Sequence, residues 1–372
     1  MTPVELSRTV LRAMRRAVDD GELSALGDVS DVDMTRRVVV ERPRPGGAGD
    51  YATNVALQVA RAAGQTPRQV AEVLSPRLAR EPGIAAIDIT GPGFLNITLD
   101  RGGDRSDEGG PSAALVRDVL TRGAHYGHAQ PGTASTASTG DSEALTLHFP
   151  REVRAAVLAD SLRRILISQG ALAQDVRNTC DEAPDTRWDT LGVHVDGHGR
   201  PPASINTLRP VPAPADPTFL GRDAARWALL HPAAHDRPRI SDEHLLQRAS
   251  NPLFRVRYAH SRTRALTRNA AALGFAGAPG DVEEIAARDL LDAIAAYPRQ
   301  LAAAARHRAP DRLARQLVVI ADAFLAFQPT VLPLGDEKPL AAHRARLALA
   351  EAAGTVLAGG LSLLGISAPD YL

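Results

Sequence analysis

Residues 251–270, NPLFRVRYAHSRTRALTRNA, decide how the second half of this chain is read. Arg255, Arg257, Arg262, Arg264 and Arg268 stand here without one acidic residue among them. Wound as a helix, the stretch puts Arg255, Tyr258 and Arg262 at i, i+3 and i+7. Arg257, Arg264 and Arg268 fall on a neighbouring stripe, and Val256, Thr263 and Leu266 are left to face a core. An exposed aromatic between arginines suits unstacked RNA bases, which stack on tyrosine while guanidiniums hold phosphate. A solvated basic face with Tyr258 partly buried is the plainer alternative. From about 219 to the C-terminus the pattern is helical and rich in Ala and Leu, as in a helix bundle.

Upstream the pattern changes. Residues 1–100 read as a small α/β domain. Val4, Leu11, Met14 and Val18 recur at helical spacing, and Val38, Val39 and Val40 form a short β-branched run before the turn RPRPGGAGD. Ala52 to Ala63 and Pro67 to Leu78 look helical, with Pro67 near a helix start. Two strand-like runs, AAIDIT and FLNITL, flank Gly91-Pro92-Gly93. Residues 101–144 read as a linker with one short helix, about Ser112 to Thr121. Residues 145–218 begin as a β-α-β piece (LTLHF, then REVRAAVLADSLRRILISQG, then DVRNTC) and become irregular. Its helix places Val153, Val157, Leu158, Leu162, Ile165 and Leu166 on one side. The expected class is α+β, predominantly α.

Composition narrows the function classes. The chain has 372 residues, 44% hydrophobic and 23% charged, with a formal net charge of zero. Any nucleic-acid binding must therefore come from local clusters of positive charge. Lys338 is the one lysine among 43 basic residues, so a mechanism that needs lysine has a single candidate. No stretch approaches the apolar length of a membrane span, and the charged, amphipathic N-terminus has no secretory core. The expected compartment is the cytoplasm. Cys180, the one cysteine, has no partner for a disulfide.

Two segments resemble arginyl-tRNA synthetases. GDYATNVALQVARAAGQTPRQVAEVL (49–74) with GPGFLNITL (91–99) looks like that family's additional N-terminal domain. NPLFRVRYAHSRTRAL (251–266) with RLALAEAAGTVLAGGLSLLGISAPDYL (346–372) is similar to its anticodon-binding bundle, the DALR domain. A weaker match, GRDAARWALLHP, lies in 219–250. The resemblance implies tRNA, arginine tRNA first, as the partner. Phe94 and Asn96, with Asn54, would meet a D-loop base, although Asn54 also suits the turn before its helix. Arg255, Tyr258, Arg262, Arg264, Phe327, Gln328 and Leu372 would form the anticodon side. The family often has tyrosine where Arg255 stands, Phe-Tyr where Phe327-Gln328 stands, and Arg-Met where this chain ends in Tyr371-Leu372.

The resemblance also implies an ATP site that the middle segment does not spell out. The family's histidine-bearing turn should follow LTLHF, yet Pro150 and a helix come at once, and no lysine precedes Gly221-Arg222-Asp223. Residues 145–218 are thus expected to be a catalytic-domain remnant, and the chain a non-catalytic tRNA binder without cofactor or metal. The alternatives are a regulatory partner of the genuine synthetase and a residual arginine–tRNA ligase with ATP binding. His125-Tyr126-Gly127-His128 imitates the missing turn but does not lead into a helix, whose N-terminus would be needed to hold phosphate. His194-Val195-Asp196-Gly197-His198, even with Cys180, lacks a second ligand pair for zinc.

Overall fold

In the computed structural model the described residues are 3–23, 38, 40–41, 50–99, 110–129, 145–200, 207–282 and 284–372. Val39, most of the turn at 42–50, and 101–109 and 130–144 of the expected linker lie outside them, and so does the side chain of Val4. The chain is predominantly helical and divides into two units, Met1–Pro111 and Ser112–Leu372.

The first unit contains α1 (Pro3–Asp19), β1 (Val40–Glu41), β2 (Tyr51–Thr53), α2 (Val55–Ala63), α3 (Pro67–Leu78), β3 (Ile84–Thr90) and β4 (Phe94–Leu99). Its sheet runs β1-β2-β4-β3, antiparallel throughout. Leu95 and Ile97 on β4 are buried with Leu6, Val10, Met14, Val59 and Leu74 of the three helices. Side chains alternate along a strand, so this burial turns Phe94 and Asn96 to the face away from the helices. Thr66 caps α3 in a capping box with Gln69, and Pro67 takes the first helical position, where its missing N–H costs nothing. Gly93 makes the β3–β4 turn possible: a Cβ there would stand 2.7 Å from the Pro67 carbonyl oxygen.

The second unit opens with α4 (Pro111–Arg122), followed by β5 (Leu145–Phe149), α5 (Val153–Ser168), β6 (Val176–Cys180) and β7 (Gly197–His198). The three strands form a parallel sheet in the order β5-β6-β7, with α5 as the crossover. The bundle comprises α6 (Gly221–Leu230), α7 (Pro252–Ala272), α8 (Ile285–Arg306), α9 (Pro310–Phe327) and α10 (Ala341–Leu363). One hydrophobic core runs through the parallel sheet and the bundle, from Leu147 and Phe149 to Leu361 and Ile366.

The expected apolar side of α5 exists: Val157, Leu158, Leu162 and Ile165 are buried. Arg154, Asp160 and Ser161 are buried as well, so the helix is enclosed on more than that side. These polar groups are fully partnered. Arg154, with no exposed surface, donates to the carbonyls of Val211, Leu229, Pro232, Ala233, Ala234 and Asp236. Arg226 of α6 pairs with Asp160 at 2.6 Å and donates to Ser161 Oγ and to the carbonyls of Leu191 and Leu364. Burial lowers the pKa of both guanidiniums, and the acceptors around them offset that loss of hydration. Among the described residues, no helix is long and apolar enough to cross a membrane.

Candidate functional site

The outer face of the N-terminal sheet carries the first group of expected site residues. Phe94 is 40% exposed, opposite Thr90 on β3, and Asn96 sits between Ala52 and Asp88 in the register. Asn96 is only 5% exposed, and its amide nitrogen donates to Thr90 Oγ1 at 2.8 Å. Phe94 therefore presents a ring, while Asn96 presents an amide already tied at one end. Asn54 stands at the N-cap of α2 without making the capping bond; its Oδ1 accepts from Gln58 Nε2 at 3.0 Å. Thr53 fills the turn instead, accepting from the Val55 amide.

The second group lies on α7. Asn251 caps the helix by accepting from the Leu253 amide, and Pro252 takes the first helical position. Val256, Thr263 and Leu266 are buried, as their spacing implied. Tyr258 is 37% exposed, and its ring stacks on Phe254 with centroids 5.5 Å apart and planes 18° apart. This pair forms an aromatic platform at the surface.

The arginines around that platform are not bare charges. Arg255 pairs with Asp322 of α9 at 3.0 Å, and Arg257 with Asp223 of α6 at 3.5 Å. Arg264 pairs with Asp370 at 3.1 Å, and Arg262 donates to Gln328 Oε1 at 2.9 Å. The Arg268 guanidinium lies over the Tyr371 ring, 4.2 Å from its centroid. The acid-free stretch of sequence thus becomes a mixed-charge surface, because aspartates from α6, α9 and the C-terminal tail fold onto it. Partly exposed pairs of this kind are worth about 0 to 1 kcal/mol. The tail is also anchored by His260, whose ring Nδ1 meets the Pro369 carbonyl at 3.0 Å.

Phe327 departs from its expected placement. Its side chain has no exposed surface and belongs to the bundle core, so its ring offers no face to a base. Gln328, half-buried, reaches Arg262. Leu372, half exposed, lines an open cleft of about 290 Å³ with Phe254, Arg257, Arg222 and His244. The sequence reading missed Arg222 and His244, which carry no local signal and reach the cleft only through tertiary packing.

In the middle segment Glu152 closes the N-terminus of α5. One carboxylate oxygen accepts from the Ala155 amide and the other from the Ala213 amide. His148, almost fully buried, lies 2.6 Å from Asp181 Oδ1 and 2.8 Å from Thr179 Oγ1, joining the ends of β5 and β6. Tyr126 of the His125–His128 string is buried against Tyr297. Burial raises the Cys180 thiol pKa, which disfavours the thiolate a metal requires. Among the described residues no group of three or more His, Cys, Asp or Glu is placed to hold a metal ion.

Comparison with known proteins bears on both ends of the chain. Residues 14–99 match the arginyl tRNA synthetase N terminal domain, and residues 256–372 the DALR anticodon binding domain. Arginine–tRNA ligases of Frankia alni and Renibacterium salmoninarum are each 28% identical, with all of both chains covered. The Frankia alignment runs over 568 positions against 372 residues here, so the relative carries internal segments without counterparts in this chain. Among solved structures, Thermus thermophilus arginyl-tRNA synthetase superposes with a TM-score of 0.64 at 14% identity, covering both chains completely. The Plasmodium falciparum enzyme gives 0.66 at 9% identity and 99% coverage of its own chain. The expectation that this chain is not an enzyme is corrected here. Its relatives across the full length are named ligases, and that points to an enzyme.

Proposed function

The chain belongs to the arginyl-tRNA synthetase family, and from that premise we propose that it binds transfer RNA, arginine tRNA first, through its two terminal regions. The outer sheet face with Phe94, Asn96 and Asn54 takes a base of the D-loop. The α7 face with Arg255, Tyr258, Arg262, Arg264, Gln328 and Leu372 takes the anticodon, and Phe327 supports that face from the core.

The observation that carries this reading is the pair of family matches at opposite ends of one chain, an N-terminal domain and an anticodon binding domain. The chemistry of both faces supports it. Phe94 and the Phe254–Tyr258 stack are exposed aromatic surfaces, and a splayed RNA base is a natural partner for such a surface. The partly exposed arginines supply phosphate contacts once their aspartates are displaced.

A native gel shift tests the proposal. Arginine tRNA binds more tightly than unrelated tRNA, binding weakens steeply with salt, and Phe94→Ala with Asn96→Ala lowers the affinity. Equal, weak binding of all tRNAs that ignores the double substitution would count against it. The relatives' name favours a second reading, arginine–tRNA ligation itself. Arginine-dependent ATP–pyrophosphate exchange measures that activity directly, and its absence at saturating arginine and ATP argues against the second reading.

A further inference from the structure

A second arginine cluster stands where α8 turns into α9, and its surroundings differ from those of α7. Every arginine of the α7 stretch has a partner in the fold. Arg299, Arg306, Arg308 and Arg312 are exposed, and among the described residues none of their guanidiniums has an ion pair or hydrogen bond. Arg308, Arg312 and Arg315 line one open cleft of about 500 Å³, walled further by His235, Gln300 and His307. Its one acidic lining residue is Asp311, which is largely buried and pairs with Arg315 at 3.1 Å.

We propose that this cleft grips the sugar–phosphate backbone of the same RNA strand that meets α7. This rests on the tRNA-binding reading and adds a contact to it. Three guanidiniums with polar walls match phosphate, which accepts paired N–H bonds from arginine. No phenylalanine, tyrosine or tryptophan lines the cleft, and its arginine, histidine and amide groups are donors suited to phosphate oxygens.

Position supports the assignment. Arg312, Arg315, Val319 and Asp322 follow one another in steps of three and four, one stripe along α9, with Arg308 just before the helix begins. Asp322 is the residue that receives Arg255 of α7, and at 1.5 Å per residue it lies about 10 Å along the axis from Arg315. The stripe therefore leads from the aromatic platform to the cleft. Arg308 adds a second observation. It is the one non-glycine with positive φ among the described residues, at φ 50°, in the position after α8 where glycine commonly ends a helix. Arg308 held in this conformation is one of the residues that line the cleft.

Fluorescence anisotropy with labelled arginine tRNA and the full chain, read across a salt series, tests this. Arg308→Asn with Arg312→Ala is the informative variant, because asparagine tolerates left-handed backbone and alanine favours the helix. The affinity drops about tenfold, and the slope of log affinity against log salt falls by about 1.4 to 1.8, the release expected for two phosphate contacts. Arg312→Lys keeps the wild-type slope. If the double variant melts early, Arg312→Ala alone carries the test with half the change in slope. Wild-type affinity and slope in the double variant, while the wild type binds tRNA, would overturn this proposal and leave the reading beneath it standing. A wild type that binds no tRNA overturns both. Polyglutamate bound as tightly as tRNA by the wild type, and lost in the double variant, would assign the cleft to an acidic protein instead.

Discussion

Arg154 and Phe327 show how a side chain's role depends on where its polar or apolar atoms end up. Arg154 satisfies six carbonyls that cluster around it from residues 211–236. Arg154→Met keeps much of the volume but strands those acceptors away from water, and buried groups left unpaired cost about 1 to 3 kcal/mol each. We expect a loss of about 3 kcal/mol or more, read from the urea midpoint. Phe327 makes the opposite case: a position suggesting a base contact is occupied by a core ring. Phe327→Ala lowers stability by about 3 to 5 kcal/mol. Its effect on tRNA affinity, measured well below the melting temperature, stays small beside that of Tyr258→Ala.

Helices α7 and α10 meet at a small-residue contact. A Cβ on Gly354 would lie 3.0 Å from the Thr263 Cβ, and Thr263 Oγ1 is held by its bond to the His260 carbonyl. Replacing glycine by alanine in the middle of a helix ordinarily stabilises by about 0.5 to 1 kcal/mol. Here overpacking wins, and Gly354→Ala costs about 1 to 3 kcal/mol in thermal or urea unfolding. A stabilised variant would mean the helices separate easily, and the α7 face would then be a looser platform than described. At this scale much was legible in advance. Pro67 at the start of α3, the apolar positions of α5 and the buried seam of α7 follow from short-range periodicity and capping chemistry. The second buried side of α5 was not, because Arg154, Asp160 and Ser161 read as surface residues until partners from distant segments are placed around them.

Across the second unit, His260, which is buried, and His128 and His231, which are partly buried, shape the response to acid. Burial lowers the pKa of His128, His231 and His260; arginine and histidine charges add to this, while the Pro369 carbonyl and Asp370 oppose it at His260 and Asp311 opposes it at His231. Near pH 6.5 and below, the unfolded chain takes up protons that the folded chain refuses, so stability falls as pH drops through that range. Glu351 works the other way, since burial raises its pKa and its contribution weakens as pH rises. Three imidazoles against one carboxyl leave a net loss, and the urea midpoint at pH 5.5 is expected below that at pH 7.5. An unchanged midpoint would mean the rings reach water in the native state.

By itself the sequence determined the helical and strand periods, the kinship carried by 49–99 and 251–372, and the scarcity of lysine. Each of these is written in neighbouring residues or in composition. Only the tertiary structure decided which charges stay free. The α7 arginines stand in an acid-free stretch, yet Asp322 and Asp370 come from 67 and 106 residues away to meet Arg255 and Arg264. The arginines at the α8–α9 corner, with Asp311 beside them in sequence, keep most of their guanidiniums open. Coulomb attraction acts through space and not along the chain, so a charge's partner becomes known only when the fold has chosen its neighbours.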